Sequence, residues 1–234
     1  MLIRSWNLFH GNADPPRRRG YLRDMLELAS ADDVDALCLQ ELPVWALPWL
    51  DDWTEMEAHR AITRPPLWPG RLSAAVTRVH QGVFRSALAG QANAVLVARR
   101  HVVEDLGHER ISGHGRERRL VQAVRLAGFG IVANLHATND FRHPELPLAE
   151  VARARAFAER HARPHEAVVL AGDFNVVAPR LHGYSPPGPG IDHVLVRGAA
   201  VEPLTVWARE RRMQNGVVLS DHAPVEIRTL PSTS

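Results

Sequence analysis

The sequence contains no lysine, and all 28 of its Lys+Arg residues are arginines. This absence excludes a Schiff-base lysine and the lysine of a phosphate-binding loop. Arginine favours planar, bidentate contacts with oxyanions, although the base composition of the source genome explains the same bias equally well. The formal net charge is only +2, so the overall field attracts polyanions weakly.

Cysteine and long apolar runs are also scarce. Cys38 is the only cysteine, which excludes an internal disulfide and a zinc site built from several thiolates; its place in an apolar run predicts a small core residue. No segment has the roughly 20 apolar residues that a membrane helix needs, and the N-terminus has no signal-peptide pattern. We therefore expect one soluble, cytoplasmic domain over residues 1–234.

Four apolar runs end at a side chain that can bind a metal or handle a proton. These runs end at Asn7, Glu41, His136 and Asp173. Each is typical of a buried strand, and the ends of strands on a rigid sheet bring distant segments together. The sequence therefore predicts one site assembled from several strand ends.

Helical spacing of apolar residues predicts helices over 20–31 and 146–163. Besides the first two runs, strands are predicted over 72–79, 92–98, 119–126, 130–135, 168–172, 194–196 and 224–228. This mixture predicts sheets that pack together and are covered by helices.

Three tryptophans, Trp45, Trp49 and Trp53, are four residues apart, which is the spacing of one helical face. Core packing of a short helix is the simpler interpretation. The other is an aromatic wall beside Glu41 that contacts substrate.

Six short strings occur in order along most of the chain. They are Trp6-Asn7, Gln40-Glu41, Asn134-Leu135-His136, Gly172-Asp173-Phe174-Asn175, Ile191-Asp192-His193 and Ser220-Asp221-His222. Together they resemble the endonuclease/exonuclease/phosphatase family of metal-dependent phosphoesterases. The resemblance implies an α/β fold, a four-layer α/β sandwich in which two packed mixed β-sheets are flanked by helices.

Glu41 is the expected principal metal ligand, with Asn7 and Asp221 helping directly or through water. The expected ion is Mg²⁺, with Mn²⁺ as an alternative, because Mg²⁺ keeps several waters and takes one or two protein carboxylates. A hydrogen bond that ends the strand is the structural alternative for Asn7.

His222 is expected to activate the attacking water, because histidine is the best-suited base near neutral pH. The resemblance implies that Asp192 fixes its tautomer. A paired carboxylate also raises the affinity of an imidazole for a proton, so a cationic His222 that stabilises phosphorane charge remains the second interpretation.

The resemblance further implies that Asp173 positions the water and that Asn175 binds a phosphate oxygen. His136 would contact the scissile phosphate or protonate the leaving group. A turn held by side-chain-to-backbone bonds is the structural alternative for Asp173 and Asn175. Abasic-site endonucleases commonly carry tyrosine at the position of His136 and aspartate at that of Phe9, so abasic-site specificity is disfavoured.

The remaining histidines receive no catalytic role. His10, His114 and His182 are candidates for the border of the cleft, but isolated loop histidines are usually solvated. His193 follows Asp192 on a predicted strand, so its side chain should point to the opposite face and pack there.

Arginine clusters at 17–19, 116–119 and 209–212 bear on the substrate. They suit either a nucleic-acid backbone or a solvated face, and Arg118 is taken as a substrate-binding residue. We expect a Mg²⁺-dependent phosphodiesterase that cleaves nucleic acid. The alternatives are an enzyme acting on a small or lipid-linked phosphate and a non-catalytic binding module of the same fold.

Overall fold

The computed structural model of the chain describes residues 1–15, 17, 19–68, 70–79, 84–140 and 142–230. Within these residues the strands are β1 (Leu2–Asn7), β2 (Ala13–Asp14), β3 (Ala36–Leu42), β4 (Met56–Arg64), β5 (Gln91–Ala98), β6 (Val103–Arg110), β7 (Leu120–Leu126), β8 (Gly130–His136), β9 (Ala167–Asp173), β10 (Asp192–Arg197), β11 (Thr205–Val206), β12 (Met213–Gln214), β13 (Val217–Leu219) and β14 (Val225–Arg228). The helices are α1 (Leu22–Ala29), α2 (Leu50–Thr54), α3 (Gly70–Val79), α4 (Phe84–Ala89) and α5 (Glu145–His161), and 3₁₀ turns cover Phe9–Gly11, Val44–Trp49 and Arg209–Arg212.

Two mixed sheets form the centre of the fold. One has the strand order β11-β14-β1-β3-β5-β4, and the other has the order β10-β9-β8-β7-β6. Each sheet contains one parallel pair, β1 with β3 and β8 with β9. The strands β12, β13 and β2 form a third, small sheet.

Three apolar clusters separate the layers. One lies between the sheets and joins residues such as Ile3 and Val95 to Val132 and Val169. A second packs α1 and the tryptophan segment on the outer face of the first sheet, and a third packs α5 on the outer face of the second sheet. The predicted four-layer α/β sandwich is confirmed.

The parallel pairs bring the polar strand ends to one edge. Asn7 pairs with Gln40, which precedes Glu41, and His136 pairs with Asp173. An amide pair joins the sheets behind this edge, since Gln40 Nε2 donates to Asn134 Oδ1 at 2.8 Å.

One predicted strand is wrong, because residues 72–79 lie in helix α3. The β-branched residues of this segment suggested a strand, but its buried side chains are Ser73 and Thr77, one helical turn apart. Their hydroxyls donate to the backbone, Ser73 to Trp68 O at 2.8 Å and Thr77 to Ala74 O at 2.9 Å. The buried face is therefore polar, and Leu72 is exposed.

Other boundaries differ less. The predicted helices 20–31 and 146–163 are confirmed as α1 and α5, with shifted ends. Strands β4 and β6 were not predicted: β4 alternates between buried and exposed residues, and β6 is a partly exposed edge strand. None of the helices in the described part of the chain has the length and apolar character that crossing a bilayer requires.

The three tryptophans of the segment do not all have the same environment. Trp45 and Trp53 are partly buried and pack on the core, with ring centroids 6.3 Å apart. Trp49 stacks on Trp53 but remains 51% exposed. Core packing therefore holds for two of the three rings.

Candidate active site

The side chains at the strand ends form one polar cluster, which consists of Asn7, Glu41, His136, Asp173, Asp192, Asp221 and His222.

A histidine–aspartate pair belongs to this cluster. His222 Nδ1 is 2.7 Å from Asp192 Oδ2. Two contacts fix the segment that carries the histidine: the Trp6 indole N–H donates to the His222 carbonyl at 3.0 Å, and the Arg212 guanidinium donates to the same oxygen at 3.1 Å. With Nδ1 engaged, Nε2 is the ring atom available for chemistry.

Asp173 lies opposite Asp192 across the antiparallel pair of β9 and β10. The carboxylate is buried and accepts hydrogen bonds from Asn7 Nδ2 at 3.1 Å and from the backbone N–H of Asn175 at 3.0 Å. Burial and the charge of Asp192 raise the pKa of Asp173 to about 7, against the opposing effect of His222. Asp173 Oδ2 is 3.9 Å from His222 Nε2, so the two side chains share one electrostatic site.

The charge of His222 follows from these neighbours. Burial alone would lower its pKa, but the hydrogen bond and charge of Asp192, with the charges of Asp173 and Asp221, raise it to about 10. These side chains by themselves thus keep the imidazole protonated at neutral pH.

Glu41 lies on the other side of the site in a left-handed conformation, with φ of 53°. Its carboxylate is 3.3 Å from His10 Nδ1 and 3.9 Å from His136 Nε2. Burial alone would raise the pKa of Glu41, but the hydrogen bond and charge of His10 and the charges of His136 and His222 hold it well below its usual range. Glu41 therefore stays ionised.

The carboxylate of Asp221 is close enough to Glu41 to interact with it. Loss of hydration raises the pKa of Asp221, and the charge of Glu41 raises it further while His222 opposes the shift. Two carboxylates that repel each other form a donor set that a hard divalent cation stabilises. Asn7 Oδ1 already accepts from the Phe9 N–H at 3.0 Å, which leaves one lone pair free. The side-chain oxygens of Glu41, Asp221 and Asn7 are ligands of the type that Mg²⁺ prefers.

A second group of ligand atoms lies nearby. Asp173, Asp192 and His222 place one ligand atom each within 4.8 Å of the others. This set includes an imidazole, which suits transition metals better than Mg²⁺. In this second group, the Nδ1 atom of His222 already contacts Asp192. The first group, with the carboxylates of Glu41 and Asp221, offers oxygen ligands and therefore suits Mg²⁺ better.

His136 is buried between Arg119 and Asp173. Arg119 Nη1 is 3.1 Å from both ring nitrogens; a nitrogen in the ring plane would collide with the Cε1–H between them, so Nη1 lies over the ring face. Burial, reinforced by the charge of Arg119, lowers the pKa of His136 well below its usual range. His136 Nε2 is 3.5 Å from Asp173, and the side chain of Gln91 contacts Nδ1 at 3.3 Å. His136 is therefore a neutral hydrogen-bonding group.

Asn175 follows Asp173 with a left-handed φ of 49°. Its amide Nδ2 donates to the carbonyl of Ala137 at 2.9 Å, and its backbone N–H caps Asp173. The turn that the sequence offers as an alternative is present, and its backbone hydrogen bond holds Asn175 next to Asp173.

The arginine clusters serve different purposes. Arg118 is exposed and lies outside the cluster, whereas the adjacent Arg119 is buried in it. Arg211 lies over the Trp207 ring with its Cζ 3.5 Å from the centroid, and Arg212 donates to backbone carbonyls, so both have structural contacts. Arg18 lies outside the described residues.

The sequence assigned no role to two residues that lie in the site, His10 and Arg119. His10 is buried against Glu41, but it follows a strand end in a loop whose path the sequence does not define. Arg119 immediately precedes the apolar run of β7, and this position at a strand start is the signal that could have identified it. The packing role predicted for His193 is confirmed: it contacts the Val176 carbonyl at 3.0 Å and the Phe174 ring edge-on.

Comparison with known proteins adds independent information. The model of the Endonuclease/Exonuclease/phosphatase family matches residues 5–222. No curated protein matches the sequence significantly.

Solved structures share the fold at low sequence identity. A functionally unknown conserved protein from Enterococcus faecalis is 15% identical, with a TM-score of 0.68 over 98% of this chain and 99% of that one. TDP2 from Caenorhabditis elegans is 16% identical, with a TM-score of 0.67 over 99% and 74%. A mannosyl-6-phosphatase from Bacteroides thetaiotaomicron is 14% identical, with a TM-score of 0.65 over 98% and 99%.

Proposed function

The chain belongs to the endonuclease/exonuclease/phosphatase family, and we propose that it is a Mg²⁺-dependent phosphodiesterase that cleaves nucleic acid. Endonucleases, exonucleases and phosphatases all hydrolyse phosphoesters, so this is the chemistry of the family. The nature of the bond and the substrate is our proposal.

The contact between His222 and Asp192 carries the proposal. At 2.7 Å, the carboxylate fixes the tautomer and orientation of the imidazole, as in a catalytic triad without its serine. Nε2 then faces the side on which Asp173 lies, where a water could sit between them. Asp173 holds the water in place, and His222 accepts its proton as the water oxygen attacks phosphorus. The bond from phosphorus to the ester oxygen of the leaving group breaks in the same displacement, and that oxygen leaves as an alkoxide that takes a proton from solvent. A binding-only protein has no need of this pair.

Glu41, Asp221 and Asn7 would hold the divalent cation. When bound, the cation would polarise a phosphoryl oxygen, and its charge would oppose the protonation of His222. This effect moves His222 toward the neutral form that a base requires.

The opposite wall supplies hydrogen bonds to phosphate oxygens. His136 is neutral and backed by the buried Arg119. Asn175 lies beside them at the end of β9. Donors fixed in this way before the reaction stabilise the charge that develops on the phosphoryl oxygens.

Nucleic acid is the proposed substrate because exposed arginines, Arg118 among them, border the cluster. A small phosphomonoester is the second candidate, because a similar structure is that of a sugar phosphatase. The similarity covers nearly all of both chains. Each candidate uses the same catalytic cluster.

Nicking of supercoiled plasmid by the purified protein with Mg²⁺ tests the nuclease proposal. A parallel reaction with 4-nitrophenyl phosphate tests the second candidate, and EDTA is the control in both. We expect EDTA-sensitive nicking and slow release of nitrophenol. Release of nitrophenol without nicking would contradict the nuclease proposal and favour the phosphatase.

A further inference from the structure

A hollow borders the cluster next to His136 and Arg119, and we propose that it binds a second phosphate group of the substrate. The proposal rests on the proposed function, since the first phosphate would occupy the catalytic cluster. The hollow has a volume of about 460 Å³. It is lined by Thr63, Arg64, Pro65, Glu117 and Arg118.

Two exposed arginines line the hollow from different parts of the chain. Arg64 is the last residue of β4, and Arg118 lies in the segment before β7. Neither is ion-paired with another residue in the part of the chain that the structure describes, whereas Arg125, for comparison, pairs with two glutamates. Two uncommitted guanidinium groups at one hollow favour a planar or tetrahedral oxyanion.

Both walls of the hollow are continuous with the cluster. On one wall, Glu117 accepts from Arg119 Nη2 at 3.1 Å, and Arg119 lies over His136. On the other, the Thr63 hydroxyl donates to the Gln91 carbonyl at 2.9 Å, and the Gln91 side chain contacts His136. On each wall, a single residue, Arg119 or Gln91, therefore links the lining of the hollow to His136.

The loop that carries Arg118 is held in place by a third arginine. The Arg110 guanidinium donates to the carbonyls of Ser112 at 3.1 Å, Gly113 at 2.7 Å and Arg116 at 3.1 Å. The Ser112 hydroxyl in turn accepts from the Arg119 N–H at 3.0 Å. A fixed loop reduces the entropy lost when an anion is bound.

The charge balance of the hollow selects the ligand. Glu117 is already paired with Arg119, so the charges of Arg64 and Arg118 are not neutralised. A phosphate can accept hydrogen bonds from both guanidinium groups and neutralise their charge, whereas an ammonium or an apolar group can do neither. The phosphate could belong to the next nucleotide of a strand or to a second phosphorylated position on a small molecule.

The test compares the double variant Arg64→Gln/Arg118→Gln with Arg228→Gln. Arg228 is a matched control, because it is also an exposed arginine but lies away from the cluster. Its strand neighbour is Leu2, which is at the end of β1 opposite Asn7. Binding of a short fluorescein-labelled single-stranded oligonucleotide is measured by anisotropy in EDTA, so that nothing is hydrolysed. Propane-1,3-diol bisphosphate and propyl monophosphate serve as unlabelled competitors.

We expect the double variant to bind the oligonucleotide about tenfold more weakly. The slope of the logarithm of the binding constant against the logarithm of salt concentration should fall in magnitude by about one. Arg228→Gln should bind like the wild type. If the bisphosphate competes better than the monophosphate only when both arginines are present, a small molecule can supply the second phosphate. If only the oligonucleotide depends on them, a strand supplies it.

Unchanged binding of oligonucleotide and bisphosphate by the double variant would overturn the proposal, as would an equal loss in Arg228→Gln. Circular dichroism confirms that all variants are folded. Hydrolysis is measured separately, so a wild type that binds but does not hydrolyse would refute the proposed function and leave the hollow as an anion site.

Discussion

His222 Nδ1 and Asp192 Oδ2 lie 2.7 Å apart, and this contact determines the charge of the imidazole. Burial opposes protonation of His222, but Asp192 and two further carboxylates raise its pKa to about 10. Replacing Asp192 by asparagine removes the negative charge nearest to the imidazolium and leaves only a neutral amide oxygen as the hydrogen-bond acceptor.

We therefore expect Asp192→Asn to lower the pKa of His222 by more than about one unit. Imidazole NMR resonances, titrated in EDTA, give the value directly. An identical pKa of His222 in the wild type and in the variant would show that Asp192 does not control the charge of the imidazole.

The same shift makes the stability of the EDTA-treated protein depend on pH. The pKa of His222 is raised on folding, so its contribution is fully present below pH 6.5 and is lost as pH rises toward 10. The unfolding free energy should therefore fall between pH 6.5 and 9, as measured by urea denaturation. Burial also raises the pKa of the Cys38 thiol, which lowers stability at the alkaline end in every variant.

Asp192→Asn removes the hydrogen bond and charge that raise the pKa of His222, and it leaves Cys38 unchanged. The charge of Asp192 also raises the pKa of Asp173 to about 7, so the comparison uses the range from pH 8 to 9, above that value. The variant should show a shallower fall over this range. His101→Ala is the matched control, since His101 Nε2 lies 2.6 Å from Asp35 Oδ1, away from the cluster. If the unfolding free energy of Asp192→Asn fell as steeply with pH as that of the wild type, the pH dependence could not be assigned to His222.

Metal binding should distinguish the two groups of ligand atoms. If Glu41 and Asp221 hold the ion, Glu41→Gln should weaken Mn²⁺ binding at least about tenfold, and Asp192→Asn should change it much less. Isothermal titration calorimetry measures both affinities. The reverse order would place the ion on Asp173, Asp192 and His222.

Gly172 allows β9 to approach β8 immediately before Asp173. Its φ is +143°, and a Cβ there would lie 1.9 Å from the Leu135 carbonyl oxygen. We expect Gly172→Ala to lower the unfolding free energy by about 3 kcal/mol or more. Gly113→Ala, where a Cβ would meet open space, should cost less than about 1 kcal/mol. Chemical denaturation that gives equal costs would contradict this explanation.

The sequence predicts the polar strand ends well, because a buried strand and its terminal side chain are both local features. Asn7, Glu41, His136 and Asp173 do meet at one edge of the paired sheets. The order of the six strings also predicts the family and its layers.

Features that depend on tertiary contacts are not predictable in this way. The contact of His10 with Glu41 depends on a loop with left-handed residues, and that of Arg119 with His136 depends on the register of β7 against β8. The strand predicted over 72–79 is wrong because the buried face of helix α3 carries hydroxyl groups, which donate hydrogen bonds to backbone carbonyls instead of showing an apolar helical pattern.

The rate of Mg²⁺-dependent hydrolysis of bis(4-nitrophenyl) phosphate should be compared in wild type, His222→Ala and His101→Ala. Each variant removes an imidazole paired with an aspartate, but only His222 lies in the cluster. We predict a loss of about 100-fold or more for His222→Ala and near wild-type turnover for His101→Ala. Full turnover by folded His222→Ala would contradict the proposed catalytic site.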